Sequence, residues 1–85
     1  MPTEVYKIVQ KELDAIVGDI LSIGMLKKGL AKIGANPESV DKGTMGKALD
    51  THVEQALVSF MGPRDAHSYV TELKKKIGVQ PPGGP

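Results

Sequence analysis

Apolar residues recur along the first third of the chain at helical intervals. Tyr6, Val9, Leu13, Ile16, Ile20 and Ile23 step by threes and fours, the rhythm of a helix packed in a bundle. Val5, Ile8, Val17 and Leu21 widen that stripe, so burial is expected on more than one side. Thr3 followed by Glu4 supplies an N-cap and a first-turn acid. The pattern predicts a helix over residues 3–23. Gly24 marks the expected break or kink, whereas Gly18 lies off the main seam, where a close helix neighbour is one reason for a glycine.

A second helix is predicted over 25–33, with Leu26, Leu30 and Ile33 as its apolar edge, lysines opposite and Gly34 at the C-cap position. Asn36-Pro37-Glu38 is a start signal, with Asn as N-cap and Pro at the first helical position. The element it opens, residues 37–42, stops almost at once at Gly43. Thr44 then caps a helix over 45–61, with Met45, Leu49, Val53, Leu57 and Phe60 at helical spacing. Gly62-Pro63 ends it and opens a last helix over 63–77, in which Ala66, Val70, Leu73 and Ile77 form the apolar edge. No segment alternates with period two, and no internal repeat is evident. The expectation is an all-α fold: a small helical bundle of three to five helices, one domain over 1–79 with Leu13, Ile16, Val53, Leu57, Val70 and Leu73 in its core. Residues 80–85, Gln-Pro-Pro-Gly-Gly-Pro, carry nothing apolar to bury and are expected to be a disordered tail.

Composition narrows the function classes. The chain has 85 residues and no cysteine, which removes disulfide staples, thiol nucleophiles and Cys-based zinc sites. With three aromatics, Tyr6, Phe60 and Tyr69, the core must be aliphatic. Eleven basic and ten acidic residues leave a net charge of +1, and the two signs are nearly matched in each half, unlike a polyanion-binding tail. No apolar run exceeds three residues, against the roughly 20 needed to span a bilayer. The Met-Pro-Thr-Glu start has neither a basic nor an apolar stretch of the secretory kind, so the cytoplasm is the expected compartment.

Candidate chemistry is sparse. His52 and His67 are the two histidines. A histidine phosphotransfer bundle typically follows its His with Lys and Gly three and four residues on, but His52 is followed by Val53-Glu54-Gln55-Ala56 and has no cation near it in sequence. Asp65 and His67 fall on different faces of one helix, and His52 has no ligand partner a turn away, so no metal-binding or cofactor-binding residue is assigned. No nucleophile elbow or phosphate loop is present, no catalytic residue is named, and the chain is expected not to be an enzyme.

Two lysine groups, Lys27, Lys28 and Lys32 with Lys74, Lys75 and Lys76, form a candidate basic patch. A small DNA- or RNA-binding domain would use it, yet Arg64 is the lone arginine, and arginine is the commonest base-reading side chain. The mixed charge of the first helix argues against a membrane surface. There remains presentation of a surface. Val58 falls on the polar side of its helix, Met25 and Met61 lie near helix ends where thioethers suit adaptable contacts, and Arg64 sits at a helix start. Met25, Val58, Met61 and Arg64 are therefore the candidate partner surface. The expected function is a non-enzymatic protein–protein interaction or regulatory module, with a partner protein or a second copy (a homodimer) docked on it. Nucleic-acid binding is the runner-up, and a phosphotransfer-like signalling bundle comes third.

Overall fold

A computed structural model describes residues 1–79; the tail expected at 80–85 lies outside the described residues. α1 spans Glu4–Val17, capped by the Thr3 hydroxyl, which accepts from the Tyr6 N–H at 3.3 Å. It ends at Gly18 and α2, Asp19–Lys32, begins at the next residue. α3, Lys42–Ala48, runs through a π-helical segment, Leu49–Val53, into α4, Glu54–Met61, as one continuous rod. α5, Pro63–Lys76, follows after the single residue Gly62. The expected all-α bundle is what forms, with no strand among the described residues. No helix among them is long and apolar enough to cross a membrane.

The first break differs from expectation. Gly24 lies inside α2 and interrupts nothing; the chain turns at Gly18, whose φ of 86° and ψ of 160° lie outside any helix. Gly18 closes one helix and opens the next: its N–H donates to the Asp14 carbonyl at 3.0 Å and its carbonyl accepts from the Ser22 N–H at 3.0 Å. The Ser22 hydroxyl donates to the Asp14 carboxylate and braces the corner. The short helix expected over 37–42 is only a turn. The Asn36 side chain accepts from the Glu38 N–H and the Ser39 hydroxyl, competing with helical bonding. α3 starts at Lys42 and is capped by Asp41, which accepts from the Thr44 N–H at 2.8 Å, so Thr44 is not the cap.

The π-helical segment has a cause in the pattern. Met45, Leu49, Val53 and Leu57 recur every fourth residue and all are fully buried. In a straight α-helix of 3.6 residues per turn, each such step swings a side chain about 40° off the core. The wider turn over Leu49–Val53, closed by the Glu54 N–H on the Leu49 carbonyl, takes up that drift.

α1 packs on α2, and α4 on α5. These two hairpins are copies of one unit. Gly62 repeats the Gly18 corner, with φ 85° and ψ 162° and with bonds to Val58 at 2.9 Å and from Ala66 at 3.0 Å. α2 ends in a Schellman cap, with the Ala35 N–H on the Leu30 carbonyl at 2.8 Å and Gly34 at φ 73°. α5 ends the same way, with Val79 on Lys74 at 2.8 Å and Gly78 at φ 87°. The interval from Gly18 to Gly62 is also that from Gly34 to Gly78, Val9 to Val53, Leu13 to Leu57 and Ile33 to Ile77. One shared interval thus sets the two hairpins in register, position for position, once the corners fix it.

Both hairpins feed a single core cluster. Of the expected core residues, Leu13, Val53, Leu57, Val70 and Leu73 are buried. Ile16 is not: it is 44% exposed in the last turn before Gly18. Its counterpart in the other hairpin, Phe60, is 52% exposed, so both copies leave this position outside the core.

Candidate interaction groove

The corner at Gly18 puts Ile20 and Leu21 in the first turn of α2, where they face away from the core and are 83% and 48% exposed. Below them, Gly24 presents no side chain, and Met25 forms a buried floor. The opposite wall comes from His52 in the π-helical segment and Ala56 in α4. Together with Lys28 these residues line a groove of about 340 Å³. Phe60 stands one turn beyond Ala56 on the same side of the helix. Next to Lys28, Gly29 lets α2 approach the rod. A Cβ there would lie 3.4 Å from the His52 Cβ and 3.6 Å from the Ala48 carbonyl oxygen.

Lys28 and Lys32 stand close to His52. Burial first, and then the charges of Lys32 and Lys28, hold its imidazole below the usual histidine range. Folding therefore supplies the cations that His52 lacks in sequence, although the Lys and Gly of the phosphotransfer motif remain absent. His67 is exposed and lies 3.4 Å from the Glu54 carboxylate, an interhelical surface contact. Among the described residues, no three His, Asp or Glu side chains converge as a metal site.

The four residues of the expected partner surface do not come together. Met25 is 7% exposed and belongs to the groove floor, because α2 runs straight through Gly24 and buries it. Val58 is 38% exposed but lies two residues from both Ala56 and Phe60, nearly opposite them on α4. Met61 is half-buried and Arg64 exposed, one on each side of the Gly62 corner.

The basic patch also divides. Lys74 is buried, with its ammonium 2.8 and 3.0 Å from the two Asp50 carboxylate oxygens. Lys75 lies 3.7 Å from Glu72, and Lys76 lies 2.9 Å from Glu12. Lys27, Lys28 and Lys32 are exposed on α2, and no carboxylate of the described residues lies within ion-pairing distance of them.

Sequence reasoning missed Ile20, Leu21 and Phe60 because their spacing continues the core rhythm. The counterpart of Phe60 is Ile16, equally apolar and also exposed, but the signal that separates Ile20 and Leu21 is the second hairpin. Its equivalents of Ile20, Leu21 and Gly24 are Arg64, Asp65 and Ser68, and the equivalent of Ala56 is Glu12. There, Glu12 of α1 pairs with Lys76 of α5. Tyr69, the counterpart of Met25, is pushed up to about 12 by burial and by the Glu12 charge. Where one hairpin carries Ile20, Leu21 and Ala56, the other thus carries Arg64, Asp65 and Glu12. Comparison with protein-family models, with curated proteins and with solved structures gives no match.

Proposed function

We propose that this chain is a non-enzymatic protein–protein interaction or regulatory module, docking a partner protein or a second copy of itself in the groove between α2 and the rod of α3 and α4. One observation carries the reading: Ile20 and Leu21 expose apolar surface at positions where the other hairpin holds Arg64 and Asp65. The fold does not require apolar residues there, and in water they cost solubility, so a surface of this kind points to contact with another molecule. The cytoplasm is the proposed setting, since a cysteine-free chain gains nothing from an oxidising compartment.

Division of the basic patch weighs against the nucleic-acid reading. Affinity for a polyanion grows with the number of phosphates neutralised, and Lys74, Lys75 and Lys76 already have carboxylate partners.

Site-specific photo-crosslinking tests the proposal. A photoreactive residue placed at Leu21 should give discrete protein adducts in cells expressing the chain, whereas the same residue at the matched position Asp65 should not. Adducts with nucleic acid, or equal and diffuse labelling at both positions, would sink it.

A further inference from the structure

The groove has an apolar end and a basic end. Ile20 and Leu21 make the first, with Phe60 exposed one turn beyond Ala56; Lys28 lines the second, with Lys27 and Lys32 beside it on α2. The repeat shows what this basic end lacks. Lys76, the equivalent of Lys32, has its acid in Glu12 at 2.9 Å. The residue equivalent to Glu12 on the wall facing α2 is Ala56. The chain therefore supplies an acid for the lysine at this place in one hairpin and omits it in the other, and the omission falls on the apolar groove. Positive charge without a partner, next to exposed apolar surface, complements a ligand that brings both apolar side chains and acids.

The shape fits a helix. The groove lies between two helical elements, and from Ile20 to Lys32 α2 extends roughly 18 Å at 1.5 Å per residue. That length matches about three turns of an amphipathic helix seated through anchors at i, i+4 and i+7. A second copy is the poorer occupant. Groove against groove brings the same three lysines together, and the outer face of α1 around exposed Ile8 is mixed in charge, with Lys7 and Lys11 beside Glu4 and with Glu12 already paired to Lys76.

Building on the interaction reading, we infer that the groove between α2 and the π-helical segment with α4 docks an amphipathic helix of another protein. That helix carries aliphatic residues on one stripe and Asp or Glu on the flank that meets Lys28 and Lys32. Its acid takes the place that Glu12 fills in the other hairpin.

Two synthetic peptides of about 14 residues test this, sharing leucines at i, i+4 and i+7 and differing only in having glutamates or lysines elsewhere. Each is titrated into the full isotope-labelled chain and followed by amide chemical shifts. The glutamate peptide should shift residues 20, 21, 24, 28, 52 and 56 and leave 64, 65 and 68 in place. Its affinity should fall with salt and drop about tenfold or more when Lys28→Gln and Lys32→Gln are combined. Leu21→Glu should abolish binding while leaving the thermal midpoint near the parent's.

Equal binding of the lysine peptide would overturn the acidic assignment and leave the interaction reading standing. So would failure of both peptides alongside protein adducts at Leu21. Failure of both without adducts would remove the two readings together. Concentration-dependent self-association lost in Leu21→Glu would hand the groove to a second copy instead.

Discussion

At the two corners a single residue joins two helices, and its conformation is one that side chains resist. Gly18 and Gly62 have φ near 86° with ψ near 160°, a region occupied almost only by glycine. A Cβ on Gly18 would meet nothing within 4 Å, so the obstacle to substitution is backbone strain and not space. Gly24 is the reverse case, exposed and inside α2, where a Cβ would also meet nothing within 4 Å. Gly18→Ala should therefore destabilise by about 1–3 kcal/mol, while Gly24→Ala should stabilise by about 0.5–1 kcal/mol through helix propensity. Denaturant melts of the two variants would show opposite shifts of midpoint; a loss for Gly24→Ala would mean that α2 bends there. Composition around the two glycines hardly distinguishes them, because both interrupt an apolar helical stretch. The difference lies in φ, which leaves no trace in a single sequence except through the matching glycine at 62.

Elements read well from the sequence where one stripe faces one core. α5 and the buried row Met45, Leu49, Val53 and Leu57 are of this kind, and the Gly62-Pro63 boundary falls where expected. The first helix reads badly because two stripes follow one another in step: Tyr6, Val9 and Leu13 serve the core, while Ile20 and Leu21 serve the groove. Lysines in the last turn of α5 look like plain complements to the helix dipole, and nothing local reveals that Lys74 turns inward to Asp50 from a preceding helix. The repeat explains the pair's place, since the equivalent positions hold Leu30 and Tyr6, both buried. An ion pair there stands in for an apolar contact, and such pairs are often replaced by apolar residues at no loss. Replacing both partners together, Asp50→Tyr with Lys74→Leu, as in the other hairpin, should thus leave stability unchanged or raise it. Asp50→Ala should lower it by about 1–3 kcal/mol, because a buried ammonium loses its partner. The measurement is the difference in unfolding free energy between the two variants, and equal losses would make the pair a net stabiliser.

On the scale of the whole molecule, two copies of a hairpin share one core. Leu13 and Leu57 occupy the same place in the two copies, and both are fully buried in the one cluster that also takes residues from α2, α3 and α5. A hairpin of two helices joined by one residue has only one face to bury, and against water that face needs a second layer. Each hairpin is that layer for the other. Truncating either leucine to alanine should then cost on the order of 2–5 kcal/mol, from lost transfer energy and the residual cavity. Such a loss is a large share of the stability of a domain this small. The more telling consequence is where the loss is felt. If the hairpins depend on each other, Leu13→Ala must weaken amide protection in α5 as much as in α1, and Leu57→Ala must do the same in reverse. Native-state hydrogen exchange on the two variants reads this directly, since opening energies separate cooperative units. Protection that falls only in the hairpin carrying the substitution would show two stable halves in contact. Protection falling everywhere, with one unfolding transition in each variant, would show that the duplicated unit folds only as a pair. The groove would then be built from both copies at once, α2 from the first and Ala56 with Phe60 from the second, and any substitution that loosens either hairpin should weaken docking as well as the fold.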